Sequence, residues 1–144
     1  MKVTNISSKG IDLIKSFEGF ESKAYICPAG VVTIGYGATY WEDGRKIKLV
    51  ETITQEKAIV LLNNMLIPYC KGVDSMTRDD VSQSQFDALV SFAYNCGLQA
   101  LKGSTLLKKV NAMPYDMTIA NEFLKWNKAN GKALEGLTRR RKAE

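Results

Sequence analysis

Apolar residues recur at helical spacing near the start of the chain and again in its middle. The first pattern follows Ser7 or Ser8, either of which suits an N-cap, and Gly19 is placed to end the helix. The second pattern begins after Thr54, another N-cap residue, and Pro68 is expected to kink or end that helix. Its buried face is predicted to consist of Ala58, Leu61, Leu62, Met65 and Leu66.

Further helical patterns follow in the second half of the chain. Residues 82–85, Ser-Gln-Ser-Gln, form a capping box, and the apolar positions behind them indicate a helix that Gly97 ends. The next, short helix has its apolar positions at Leu106, Leu107 and Val110. Pro114 separates it from a helix capped by Asp116 or Thr118. The residues expected to be buried in that helix are Ala120, Phe123, Leu124 and Trp126.

Between the first two helices the pattern changes to one typical of β-strands. Short β-prone runs at residues 24–26 and 31–36 are joined by residues 27–30, which carry Pro and Gly as a hairpin turn would. A third strand is predicted at residues 45–49, after a turn at residues 42–44. The chain is therefore predicted to be an α+β protein with a helix, a small antiparallel sheet and an all-helical remainder.

Composition limits the class of protein. With 144 residues, the chain fits one domain, or two small lobes that share a helix, and its 45% of hydrophobic residues can fill a substantial core. The net charge of +5 favours a polyanionic partner, which could be nucleic acid, an anionic membrane surface or an acidic polysaccharide. No apolar run approaches the ~20 residues that span a bilayer, and the N-terminus is too polar for a signal peptide. We therefore expect the protein to stay in the cytoplasm until something else releases it.

The chain contains no histidine, which excludes Ser-His-Asp and Cys-His hydrolytic sites and His-ligated zinc. Its cysteines, Cys27, Cys70 and Cys96, include no CxxC pair, so reduced thiols are expected rather than disulfides or a thiolate zinc site. Cys70 and Cys96 lie in helical patterns and are expected in the core. Hydrolysis by this chain would have to use carboxylates, thiols, hydroxyls or lysines.

Glu18, Cys27 and Thr33 form a candidate acid/base site around the predicted hairpin. Glu18 stands at the C-terminal end of the first helix, where the helix dipole disfavours an anion and favours the protonated form that a general acid needs. Each residue also has a simpler interpretation: a solvated helix end, a buried cysteine and a β-branched strand residue. Other nearby carboxylates lack the apolar neighbours of Glu18 and are interpreted as surface charges, namely Glu21, Glu42 and Asp43.

Longer motifs connect these residues with a known family. Glu18, Cys27 and Thr33 follow the pattern Glu, eight residues, Asp or Cys, five residues, Thr. The other matching motifs are TIGYG at residues 33–37, QFDALVSFAYNCG at 85–97, STLL at 104–107, Trp126 and the ending GLTRRR. On these motifs the chain resembles, from about Ile11 to Arg141, the phage-type lysozymes, the endolysins of glycoside hydrolase family 24.

The resemblance implies a lysozyme-like α+β fold for residues 1–144 as a single catalytic domain. A small antiparallel sheet lobe would occupy about residues 18–53, and residues 1–17 with 54–144 would form a larger helical lobe. A long helix beginning near Thr54 would join the two lobes, with the glycan cleft between them.

The resemblance also implies hydrolysis of the β-1,4 bond between N-acetylmuramic acid and N-acetylglucosamine in bacterial peptidoglycan. Glu18 would be the general acid, and Cys27 with Thr33 would hold the attacking water. Asn95 resembles a cleft-side position of the family, and Asn95 and Tyr36 are candidate substrate contacts. 

Trp126 resembles a core position. The family commonly has His where this chain has Ala38, which affects an ion pair of that His but not the chemistry.

The partner implied is bacterial peptidoglycan rather than nucleic acid, bound by a monomer. The basic run at residues 139–142 also suits an anionic wall or outer-membrane surface. The resemblance implies release from the host cytoplasm through a holin lesion into the periplasm. A lytic transglycosylase using Glu18 alone and a non-catalytic cationic wall-binding protein are the alternatives. A nucleic-acid binder is less favoured because the sequence has no helix-turn-helix or aromatic-basic stacking pattern.

Overall fold

The computed structural model describes residues 3–27, 30–78, 80–113, 118, 119, 122, 128, 129, 132 and 133. The elements in chain order are α1 (Ser8–Glu18), β1 (Glu21–Ile26), β2 (Val32–Gly35), α2 (Gln55–Met76), α3 (Gln83–Cys96), α4 (Leu98–Lys102), α5 (Thr105–Ala112), β3 (Lys128–Ala129) and β4 (Lys132–Ala133). This mixture of helices with a small antiparallel sheet confirms the predicted α+β class. In the part of the chain that is described, no helix is both long and apolar enough to cross a membrane.

The chain divides into two compact units. One consists of residues 14–67, and the other of residues 1–13 together with 68–144. Both boundaries fall inside helices, α1 and α2, so each of these helices contributes to both units.

In the unit of residues 14–67, β1 and β2 pair as the predicted antiparallel hairpin. At its tip the amide of Gly30 donates to the carbonyl of Cys27 at 2.8 Å. On the other edge of β1, the amide of Ala24 donates to the carbonyl of Glu51 at 3.1 Å. The buried apolar residues of this unit include Ile14, Ile34, Ile47, Ile53, Ala58, Leu61 and Leu62.

The third strand predicted at residues 45–49 is wrong. Only an isolated bridge between Tyr40 and Lys46 is found there among the described residues. Asp43 accepts hydrogen bonds from the amide and guanidinium of Arg45, and Glu51 accepts one from the amide of Lys48. These side chains fold the backbone into two successive turns, which leaves too few extended residues for a strand.

Helix α2 begins after Thr54, whose hydroxyl accepts a hydrogen bond from the amide of Lys57 at 3.2 Å, as expected of an N-cap. The helix does not end at Pro68 but continues to Met76. Pro68 lacks an amide hydrogen and therefore removes one helical hydrogen bond. Buried residues on both sides of it, Leu66, Cys70 and Val73, supply the apolar face that keeps the helix together.

In the other unit, the capping box of α3 is confirmed: the Ser82 hydroxyl accepts from the Gln85 amide, and the Gln85 side chain accepts from the Ser82 amide. The helix ends at Cys96, and the amide of Gly97 donates to the Ala93 carbonyl at 2.7 Å. The predicted short helix is α5, for which Ser104 is the N-cap. The sequence pattern did not indicate α4 or the hairpin of β3 and β4.

The helix predicted after Pro114 lies mostly outside the described residues. Of this segment, Ile119 and Glu122 are buried, and Glu122 forms a 2.9 Å ion pair with Lys109. Several residues of earlier predictions fall outside the described part of the chain, namely Pro28, Asp116, Ala120, Phe123, Leu124, Trp126 and residues 138–144.

A buried carboxylate fixes the start of α1 in this unit. Asp87, 8% exposed, accepts hydrogen bonds from the amide and hydroxyl of Ser7 and from the Gln83 side chain. The Ser7 hydroxyl also accepts from the amide of Gly10 at 3.3 Å, so Ser7 is the N-cap of α1. Gly10 lies so close that a Cβ built on it would be 2.7 Å from the Asp87 Cγ and 2.6 Å from the Ile6 Cγ1.

We expect Gly10→Ala to destabilise the protein although alanine favours helices. The helical preference gains up to about 1 kcal/mol, whereas overpacking against a carboxylate held by three hydrogen bonds costs about 1–3 kcal/mol. Urea unfolding should therefore give a lower midpoint for Gly10→Ala. Gly103→Ala is the matched control, because its Cβ would meet only the Gln99 carbonyl oxygen, at 3.8 Å. Equal stability of the two variants would contradict this packing argument.

Candidate active site

Glu18 is the last residue of α1, and the backbone explains why the helix ends there. Gly19 has a φ of 70°, and its amide donates to the Lys15 carbonyl at 3.0 Å. A Cβ on Gly19 would meet nothing within 4 Å, so its left-handed conformation, rather than lack of space, favours glycine. The Glu18 side chain is half-buried and lies at the carbonyl end of the helix, as the sequence predicted.

The register of the hairpin places Cys27 and Thr33 on one face. Tyr25 pairs with Thr33, and the amide of Cys27 donates to the Val31 carbonyl at 3.0 Å, which extends the same register. Residues that lie opposite each other, or two apart on one strand, point to the same face of an antiparallel pair. The thiol and the hydroxyl of the candidate site are therefore diagonal neighbours.

The Thr33 hydroxyl has a fixed orientation. The residue is 4% exposed, and its Oγ1 donates to the carbonyl of Val31 at 3.0 Å. A hydroxyl has one proton and two lone pairs, so this bond uses its donor capacity. Thr33 can consequently offer only lone pairs to a further group, such as the hydrogen of a water molecule.

Tyr25 lies near both the acid Glu18 and the thiol Cys27, which the sequence did not indicate. Burial raises the pKa of Tyr25, and Glu21, the ionised form of Cys27 and Glu18 raise it further through their negative charges. Glu18 at the end of α1 and Cys27 at the tip of the hairpin thus both lie within electrostatic reach of this phenol. Glu18, Cys27 and Thr33 all belong to the unit of residues 14–67.

The two candidate substrate contacts lie in different units. Tyr36 is 5% exposed; its hydroxyl accepts a 3.2 Å hydrogen bond from Gln55, its ring contacts Phe20, and the Lys15 ammonium lies 5.7 Å from the ring centroid. These contacts give Tyr36 a packing role, and its contact with substrate stays a prediction. Asn95 is exposed near the end of α3, so its side chain is accessible to solvent.

The carboxylates interpreted as surface charges are exposed. Asp43 forms a 2.7 Å ion pair with Arg45, and hydrogen bonds from Arg45 lower the pKa of the Asp43 carboxyl. Glu21 is exposed on β1 but contributes to the field at Tyr25.

The three cysteines all lie in the described part of the chain and are thiols. Cys70 is buried as expected, and this burial raises the pKa of its thiol. Cys96 was also expected in the core but is only half-buried, because it occupies the last turn of α3. Cys27 is half-buried at the hairpin tip.

Residues 15–144 match the family model described as phage lysozyme. The chain belongs to the phage lysozyme family. The matched segment contains Glu18, Cys27 and Thr33, and it extends through both units. Family membership confirms the resemblance that the motifs indicated.

Relatives of similar sequence are named endolysins. The chain is 51% identical to the endolysin of Bacillus phage B103 over 97% of its own length, but it spans only 52% of that relative. It is 41% identical to the endolysin of Acyrthosiphon pisum secondary endosymbiont phage 1, again over 97% of its own length and here over 94% of the relative. The chain thus spans about half of one relative and nearly all of the other.

Solved structures support the fold. An endolysin from Escherichia coli O157:H7 phage FAHEc1 is 36% identical and superposes with a TM-score of 0.88, covering 98% of this chain and 91% of that chain. The lysozyme-like fold expected from the motifs is therefore confirmed.

Proposed function

We propose that this chain is an endolysin that hydrolyses the β-1,4 bond between N-acetylmuramic acid and N-acetylglucosamine in bacterial peptidoglycan. The observation that carries the proposal is the hairpin register, which sets Cys27 and Thr33 on one face with Tyr25, and the phenol of Tyr25 lies within electrostatic reach of Glu18. Membership of the phage lysozyme family and similarity to endolysins support the same substrate class.

In the proposed reaction Glu18 donates its proton to the glycosidic oxygen as the bond to the anomeric carbon breaks. A water molecule supplies the new oxygen on that carbon, and its surplus proton returns through solvent to Glu18. The chain has no histidine that could take the role of the acid. Glu18, at the carbonyl end of α1, is therefore the proton donor of this proposal.

Cys27 and Thr33 hold the water on the face of the sugar opposite Glu18. Because the Thr33 proton is donated to Val31, Oγ1 accepts one water hydrogen, and the Cys27 sulfur accepts the other. This leaves a water lone pair directed at the anomeric carbon. Attack from the face opposite the leaving group inverts the anomeric configuration.

A lytic transglycosylase would need Glu18 but no bound water, because the sugar's own hydroxyl closes an anhydro ring. A non-catalytic wall-binding protein would need neither. Mass spectrometry of muropeptides released from purified sacculi separates the three: reducing muramic acid ends are expected, whereas anhydro ends or no release would contradict the proposal.

The proposed site of action is the cell wall after release from the host cytoplasm. Some relatives, such as the chain of bacteriophage PS119 with 33% identity, are named SAR-endolysins. For this chain we propose release through a holin lesion and action as a monomer. The basic surface would interact with the anionic wall. The reaction would use neither a metal ion nor an organic cofactor.

Wall steering by charge predicts a substrate-dependent salt effect. The net charge of +5 attracts an anionic sacculus, and salt screens such attraction beyond ~8 Å at physiological ionic strength. We expect turbidity clearance of whole sacculi to slow as sodium chloride is raised from low ionic strength. Turnover of a short oligosaccharide of alternating N-acetylmuramic acid and N-acetylglucosamine, made neutral by amidation of its lactyl carboxyl groups, is the matched control and should change much less. Equal salt sensitivity on both substrates would remove wall steering as the explanation.

A further inference from the structure

Tyr25 occupies the face of the hairpin that carries Cys27 and Thr33. Tyr25 lies directly opposite Thr33 of β2, and Cys27 follows Tyr25 by two residues in the chain. The Tyr25 side chain is 36% exposed, whereas Thr33 is buried beside it. A phenol, a thiol and a hydroxyl therefore lie on one face of the hairpin, where Tyr25 and Cys27 are partly exposed and Thr33 is buried.

A count of hydrogen-bond donors and acceptors shows what the proposed water still needs. Attack uses one of its lone pairs, and its two hydrogens are donated to Thr33 Oγ1 and Cys27 Sγ. The second lone pair requires a donor if the orientation is to be fixed. Thr33 has already donated its proton to Val31, and a thiol is a weak donor, so neither meets this need.

The phenol of Tyr25 is a donor of suitable strength, and it keeps the proton that it donates. Burial raises its pKa, and the negative charges of Glu21 and Glu18 act in the same direction, as does Cys27 once its thiol is ionised. The hydroxyl therefore keeps its proton at neutral and mildly alkaline pH, whatever the charge on Glu18. Loss of that proton during turnover is disfavoured, so Tyr25 orients the water rather than taking a proton from it.

We propose that Tyr25 is a positioning residue of the hydrolytic site, whose phenol donates a hydrogen bond to the water held by Cys27 and Thr33. This inference rests on the proposed function. The bonds made and broken are those of the proposed hydrolysis, and Tyr25 ends the reaction with the proton with which it began. Its contribution is geometric, because a misdirected lone pair lowers the rate of attack.

The test is Tyr25→Phe, which keeps the ring and removes only the hydroxyl. We expect kcat on a soluble muropeptide chain to fall about tenfold, with KM and the unfolding temperature unchanged. Tyr40→Phe is the matched control: it removes a tyrosine hydroxyl from the same unit, at a residue 50% exposed, and should leave kcat unaltered. An unchanged kcat in Tyr25→Phe, or an effect confined to KM, would overturn the proposal.

A double-mutant cycle distinguishes water positioning from a general loss of rigidity. If both hydroxyls hold one water, Tyr25→Phe should lower kcat only slightly in a Thr33→Val protein, because that water has already lost the acceptor on Thr33. Fold-losses that multiply in the double variant would show that the two residues act separately, against the proposal. Should Thr33→Val fail to fold, Cys27→Ala provides the second cycle.

Titration of ¹³C-labelled tyrosines tests the geometry without any activity assay. The resonance assigned to Tyr25 by its absence in Tyr25→Phe should titrate above the ordinary pKa of a tyrosine, and Glu18→Gln should lower that pKa. A Tyr25 pKa that does not respond to Glu18→Gln would contradict the arrangement. If wild-type protein releases no reducing muropeptides, the proposed function fails, and this titration still reports on Tyr25.

Discussion

Glu18→Gln should reduce muramidase turnover by about 10³-fold while the protein folds and binds glycan normally. Glutamine keeps the size and the polar character of the side chain at the end of α1 but has no proton to give to the glycosidic oxygen. It also removes the negative charge that stabilises the oxocarbenium-like transition state after proton transfer. The measurement is the rate of reducing-end release from purified sacculi, with glycan binding followed separately by calorimetry.

Glu21→Gln is the matched control for this prediction. Glu21 lies three residues further on, at the start of β1, and is exposed to solvent. Its removal should leave turnover within about twofold of wild type, because exposed surface charges contribute little. Substantial activity in a folded Glu18→Gln protein would mean that another group is the acid. Loss of activity in Glu21→Gln would then identify Glu21 as that acid.

The sequence predicted the structure best where the start or end of a helix depends on residues close to it in the chain. Ser82 and Gln85 satisfy each other's amides, and Gly19 adopts a left-handed conformation directly after Glu18. Thr54 accepts a hydrogen bond from an amide of the first turn of α2. Such signals involve only three or four residues and are readable in a single chain.

The predictions that failed depend on contacts between more distant residues. Residues 45–49 have the composition of a strand, but Asp43 and Glu51 draw the flanking amides into turns. Of the two outcomes expected at Pro68, a kink or an end of the helix, the end is wrong, because buried residues before and after Pro68 keep α2 continuous. In both places interactions formed on folding outweigh local propensity.

Spacing indicated Glu18, Cys27 and Thr33 as a set but not Tyr25. The two-residue repeat of a strand would have placed Tyr25 on the face of Cys27, provided that Cys27 was known to extend β1. The turn residues that follow Cys27 gave no sign of this. The register of the hairpin, with Tyr25 opposite Thr33, is a property of the folded pair of strands.

Substitutions at Cys27 should separate water positioning from nucleophilic attack by the thiol. In the water-positioning role, Cys27→Asp stays active because a carboxylate accepts the water hydrogen at least as well as sulfur does. Cys27→Ser should be partly active, and Cys27→Ala should lose about 10²-fold in kcat while still binding glycan. Cys27 is half-buried at the hairpin tip, so each of these changes should leave the unfolding temperature close to that of wild type.

Alkylation of the protein with iodoacetamide adds a chemical test of the same site. The reagent should inactivate wild type by blocking the Cys27 sulfur but should leave Cys27→Asp active. That variant retains Cys70 and Cys96 and therefore controls for reaction elsewhere. Cys70 is buried with a raised pKa, so its thiol should react slowly. Inactivation of Cys27→Asp would attribute the effect to Cys96, the half-buried thiol at the end of α3.

The anomeric form of the first product decides between the two roles of Cys27. A water held by Cys27 and Thr33 attacks opposite the leaving group, so the β-linked substrate should give an α anomer before mutarotation. A nucleophilic thiol would form a glycosyl-enzyme that a second displacement returns to the β anomer. An ordinary cysteine thiol is mostly protonated at neutral pH, and the carboxylates of Glu18 and Glu21 near Tyr25 disfavour a further anion there. Proton NMR in the first minutes of reaction should therefore show the α anomer, and a β anomer or a sugar adduct trapped on Cys27 would make the thiol the nucleophile.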